Sequence, residues 1–143
     1  MNSEQLRSQN DYQLIVDKIY QKEQFDFVGI ALQSTQSPHL IKWDFVAGNT
    51  NEKFRKIVLR SGIGIAGLVV RTGKPFWDNN LDHYQYSDEM YTPIAKSESL
   101  QSAIAVPIIS PLTKLVRGVL LAGYRFDNKK VSEQSALTLS QYL

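Results

Sequence analysis

The stretch RSGIGIAGLVVRTGKP, Arg60 to Pro75, decides how this chain is read. Its glycines Gly62, Gly64 and Gly67 stand at the G-x-G-x-x-G spacing of a dinucleotide-binding turn. Such a turn needs a strand before the glycines, a full helix after them and a parallel strand ending in Asp or Glu about 20 residues on. Here Gly73 and Pro75 stop the helix after roughly two turns, and no long strand precedes Asp78 or Asp82. A G-x-x-x-x-G-K-[ST] run is absent as well. The spacing supports a more general chemistry. Glycines let the backbone bend sharply and let a ligand come close to the amides. A helix starting near Ile65 aims its first, unpaired N–H groups outward at the positive end of the dipole. That is an anion site made of backbone alone. Water or a capping side chain is the other partner open to those amides.

Outward from this stretch, the chain is 143 residues long and 43% hydrophobic, enough for one packed core. Sixteen basic residues face 14 acidic ones, and a net charge of +2 gives no footprint for nucleic acid. The opening MNSEQLRSQND lacks the apolar segment of a secretory signal. Apolar runs such as Ala103 to Ile109 fall far short of the ~20 residues that span a membrane. With no cysteine, disulfides, zinc–thiolate sites, thiol catalysis and thioether-linked chromophores are excluded. A cytoplasmic domain is expected.

Leu14, Ile15 and Ile19 set an amphipathic helix within Ser3 to Gln24. Phe25 to Leu32 and His39 to Val46 read as a hairpin, the second strand alternating with Ile41, Trp43 and Phe45 on one side and Lys42 and Asp44 on the other. Ile57 to Leu59 leads into the glycine turn, a short helix over Ala66 to Arg71, and a brief strand at Phe76 and Trp77. Asn79 to Gln101 reads as a long covering loop with one helical turn, and loops of that length are usually functional or disordered. Ser102 to Ile109 and Val116 to Arg125 form a second hairpin around Pro111 to Lys114. A terminal helix follows, with Ser132 as its N-cap. The fold class is α+β: a central, mostly antiparallel sheet with terminal helices on one side and a pocket under loops and a short helix on the other.

The run Gly62 to Pro75, the later Ser102 to Ile108 strand and Gly118-Val119-Leu120 resemble the GAF-domain signature, in which a G-x-G-[IL]-A-G turn opens a short helix. The resemblance covers essentially the whole chain and implies one GAF domain over residues 1–143. GAF domains bind cyclic nucleotides, bilins, haem, small metabolites or nothing, so the fold leaves the ligand open. Members that attach bilins or reduce methionine sulfoxide use cysteines, absent here. Haem needs an axial ligand, and His39 sits in a turn while His83 lies in the tyrosine-rich loop. Cyclic-nucleotide members carry an N-K-F-D-E set that Asn51-Glu52-Lys53-Phe54-Arg55 does not reproduce.

Within the family the chain resembles the free-standing nitrate receptors of staphylococcal nitrate regulation. That resemblance implies nitrate as ligand, no cofactor, and an oxygen-sensing histidine kinase as regulated partner, with no nucleic acid or membrane partner and a homodimer left open. It places the ligand against Trp43, Ile65, Ala66, Tyr91, Pro93 and Ile94, with Thr92 in the same loop segment. Each has an ordinary reading beside this one. Trp43 on an apolar strand face is also a core residue, Ile65 and Ala66 also start a helix, and Tyr84, Tyr86 and Tyr91 also pack a loop down. Arg60 and Arg71 are read as solvated. No Ser-His-Asp set, H-E-x-x-H or paired carboxylates emerge, so the chain reads as a binding module, not an enzyme. The alternative is a ligand-free interaction scaffold, or a sensor of another small molecule.

Overall fold

The structure, a computed structural model, describes residues 9–81, 93–126 and 128–143. Helix α1 (Gln9–Glu23) leads into strands β1 (Phe27–Gln33) and β2 (Ile41–Ala47). A 3-10 turn (Lys53–Lys56), β3 (Val58–Leu59), helix α2 (Gly64–Thr72) and β4 (Phe76–Asp78) follow. Helix α3 (Pro93–Ser97), β5 (Ser102–Ile109), β6 (Val116–Tyr124) and helix α4 (Glu133–Ser140) complete the order. The strands form a six-stranded sheet, β3-β2-β1-β6-β5-β4, in which every neighbouring pair is antiparallel. The α+β class and both expected hairpins are present. Asp78 ends a strand antiparallel to β5, not the parallel strand that a dinucleotide fold needs.

Both faces of the sheet are covered. On one, Tyr12, Val16 and Ile19 of α1 and Ala136 and Leu139 of α4 pack on Val28, Ile30, Ile104, Val106 and Leu120. On the other, Ile65, Ala66 and Val69 of α2 and Ile94 and Ala95 of α3 cover Phe27, Ala31, Trp43, Ala103, Ala105, Val119 and Leu121. Burial on both sides explains why β5 reads as the continuous apolar run AIAVPII rather than as an alternation.

One expectation is corrected. Ile41 and Trp43 lie on the α2 face, but Phe45 does not share it. Ile30 pairs with Phe45 and the next residue, Ala31, pairs with Trp43, leaving Asp44 as the extra residue of a β-bulge. The bulge inverts the facing order downstream of it. Phe45 thus meets Tyr12 of α1, ring centroids 5.4 Å apart, while Trp43 stays on the opposite face.

Candidate functional site

The glycine turn is shaped by each of its three glycines. Gly62 and Gly64 have φ of +89° and +72°, a left-handed backbone that side chains rarely adopt. Gly67 is ordinary helix, but a Cβ there would sit 2.5 Å from the Arg60 carbonyl oxygen. The loop folds back onto the helix at that point, and the Gly62 N–H donates to the Gly67 carbonyl at 2.7 Å. Gly73, left-handed with φ of 69°, ends the helix where the sequence indicates.

The start of α2 is the chemically open part of this arrangement. Its N-cap is Ile63, which has no side-chain acceptor to offer. The first helical hydrogen bond runs from the Gly67 N–H to the Ile63 carbonyl, 3.1 Å. The N–H groups of Gly64, Ile65 and Ala66 therefore precede the helical ladder, and no acceptor meets them among the described residues. All three residues are buried, Ile65 at 3% and Ala66 at 0% exposure.

Trp43 belongs to the same buried cluster and is 1% exposed. Its indole Nε1 is buried without a hydrogen-bond partner among the described residues. Ile94, from α3, is also in the cluster, and Pro93 is half-buried at the first position of that helix. The structure thus gathers Trp43, Ile65, Ala66 and Ile94 into one cluster. Tyr91 and Thr92 lie outside the described residues, as do His83, Tyr84 and Tyr86. Arg60 and Arg71 are exposed. His39 sits in an exposed turn with its ring Nδ1 3.0 Å from the Ser34 carbonyl oxygen.

Sequence reasoning passed over Glu98, at the end of α3, and Arg125, just after β6. They form an ion pair at 2.6 Å, with Glu98 completely buried. Twenty-seven positions separate them, and no local pattern marks a carboxylate that only the tertiary fold will bury. Among the described residues, two open clefts lie elsewhere. One, of about 650 Å³, is lined by Trp77, Asp78, Asn79, Asn80, Gln101 and Lys130. The other, of about 500 Å³, lies against α1 at Leu14, Ile15, Lys18 and Lys22, with Tyr142 beside them. Neither contains Trp43 or the start of α2. No helix among the described residues is long and apolar enough to cross a membrane.

No family model matches the chain, nor does any curated protein. Solved structures do. A structure of NreA from Staphylococcus aureus, mutated in its nitrate binding site, is 37% identical with a TM-score of 0.76, the match covering 87% of this chain and 91% of that one. A second structure of mutated NreA from the same organism is 34% identical at a TM-score of 0.76, covering 92% of this chain and 99% of that one. The GAF domain of a phosphoenolpyruvate-protein phosphotransferase from Coxiella burnetii is 18% identical at a TM-score of 0.71, covering 94% of this chain and 77% of that one. The last likeness is one of fold alone. With the glycine turn, the antiparallel sheet and these likenesses in agreement, the chain belongs to the GAF-domain family as an NreA-like protein.

Proposed function

We propose that this chain is a cytoplasmic nitrate sensor, acting as one GAF domain to regulate a sensor histidine kinase of a two-component system. The observation that carries the nitrate reading is the sign of the unpaired groups. The three amides that open α2 and the Trp43 indole N–H are all donors, all buried, and none has an acceptor among the described residues. Each buried donor left unmade costs about 1–3 kcal/mol. A ligand that relieves them must be an acceptor only, small, and able to face several donors at once. Nitrate has three equivalent oxygens and no proton to place.

The apolar walls narrow the class further. Arg60 and Arg71, which flank the glycine turn and its helix, are exposed, and neutral donors alone give a divalent or strongly hydrated anion too little to offset its lost hydration. Nitrate is a weakly hydrated monoanion. Hydrogen bonds from neutral donors to an ion contribute about 1.5–3 kcal/mol each, and a helix start adds roughly 0.3–2 kcal/mol. Two or three such bonds suit binding of about −8 to −4 kcal/mol, the micromolar to millimolar range. The contact residues in this reading are Trp43, Ile65, Ala66 and Ile94, with Pro93 and Tyr91 from the covering loop. The likeness to an NreA protein with a nitrate binding site supports the same ligand. The histidine kinase is carried by the resemblance to nitrate receptors, and exposed Leu14 and Leu137 on the terminal helices supply apolar surface for it or for a second copy.

The test is a calorimetric titration of the purified protein with nitrate, chloride, sulfate and cyclic GMP. Saturable heat with nitrate and none with sulfate or cyclic GMP is expected. No response to millimolar nitrate overturns the reading and leaves the ligand-free scaffold in its place.

A further inference from the structure

The geometry points to Glu98 and Arg125 as positioning residues of the anion site: they fasten α3 in place as the wall that carries Ile94. This inference rests on the nitrate reading above.

Helix α3 has five residues, too few to hold a helical conformation unaided. Ile94 and Ala95 pack into the site cluster, while the other end of the helix is tied down by polar groups. Arg125 donates from its NH2 group to Glu98 Oε1 at 2.6 Å and from Nε to the Glu98 carbonyl at 2.8 Å. The same Oε1 accepts from the Thr50 N–H at 2.8 Å and the Thr50 hydroxyl at 3.0 Å. The Asn51 amide donates to the Ser97 carbonyl at 2.7 Å. Arg125 in turn donates to the Asp26 carbonyl at 3.0 Å and the Gly48 carbonyl at 2.9 Å, and its backbone N–H donates to Asp26 Oδ2 at 2.8 Å. One guanidinium thus joins the end of α3 to the residue before β1 and to the turn after β2.

The choice of residue type supports a purpose beyond packing. Glu98 is 0% exposed, and its second oxygen, Oε2, is buried without a partner among the described residues. A buried charge left partly unsatisfied is unfavourable, and an apolar residue of similar size avoids that penalty. What the carboxylate provides that an apolar residue cannot is a single acceptor gathering three donors from two other segments. The consequence lies at the site. When α3 is released, Ile94 and Ala95 leave the cluster, and the buried donors at Trp43 and the start of α2 open to water. An anion then competes with bulk hydration and binds more weakly.

Two variants of equal charge separate fastening from electrostatics. Glu98→Gln keeps an acceptor oxygen for Arg125 and Thr50, whereas Glu98→Ala removes it. Nitrate titrations of both are expected to show E98A binding about tenfold more weakly than E98Q. Hydrogen exchange in the nitrate-free proteins should show faster exchange in E98A at the amides of Glu98 and Leu100, which bond to Ile94 and Ala95, with the β1–β6 ladder unchanged. Equal nitrate affinity in E98A and E98Q, or exchange that rises uniformly over the sheet, overturns the positioning role while leaving the nitrate reading intact. Failure of the wild-type protein itself to bind nitrate overturns both.

Discussion

At the scale of single residues, one nitrogen separates a core tryptophan from a ligand contact. Trp43 is buried in the core on the α2 face as any large apolar residue would be, yet its Nε1 has no hydrogen-bond partner among the described residues. Phenylalanine at this position keeps most of the ring and deletes the donor. For the nitrate-free protein two effects oppose: a small void forms, and an unmade hydrogen bond disappears. Urea denaturation of Trp43→Phe is therefore expected to differ from wild type by no more than about 1 kcal/mol. Nitrate affinity, by contrast, should fall roughly 10- to 150-fold, the value of about 1.5–3 kcal/mol for a hydrogen bond to an ion. Calorimetry on the variant decides the point, and unchanged affinity removes the indole from the site. The identity of Trp43 as a candidate was legible from the resemblance. Its unpaired N–H was not, because satisfaction of a polar atom depends on every neighbour that the fold brings up.

At the scale of elements, the two terminal helices are joined by a contact that titrates. The Tyr142 hydroxyl, just beyond α4, donates to Glu23 Oε2 at the end of α1 at 2.6 Å. That hydrogen bond raises the Tyr142 pKa above its usual 10.0, with burial and the Glu23 charge acting in the same direction. A raised folded-state pKa means the contribution to stability is fully present below the unfolded value of 10.0 and is lost as pH climbs through the folded value. Wild type should therefore lose more stability than Tyr142→Phe as pH rises above 10.0, read by urea midpoints at each pH. Equal losses in both proteins overturn the coupling. Element positions were largely readable here, since the hairpins and α2 carry strong periodicity, with a clear stop at Gly73 and a clear helix start at Ser132. The facing of Phe45 was not. A period of two contains no mark for an inserted residue, and Asp44 is polar and exposed whether or not the strand bulges there.

At the scale of the whole molecule, the sheet divides two kinds of surface: terminal helices on one face, glycine turn and covering helix on the other. Its edges are the two-residue β3 and three-residue β4, short enough to offer little template for stray strand pairing. An anion bound only by the native state should stabilise the whole cooperative unit. At a hundredfold excess over Kd the gain is about 2.7 kcal/mol, a rise on the order of 10 °C in Tm for a chain of this size. Differential scanning fluorimetry with nitrate and with sulfate at matched ionic strength is the measurement. A shift of similar size with both salts would mean general salt stabilisation rather than a site.

The sequence by itself determined the family, the α+β class and the glycine turn, because these rest on local chemistry. Glycines at 62, 64 and 67 fix a backbone that few other residues permit, and apolar periodicity fixes which segments are helix or strand. Only the tertiary structure decided which polar groups lose their partners and which charges meet. The donors at Trp43 and the start of α2 that meet no acceptor among the described residues, the Asp44 bulge and the pairing of Glu98 with Arg125 all follow from contacts between segments far apart in the chain. Burial and pairing are properties of those contacts, and no local pattern of residues encodes them.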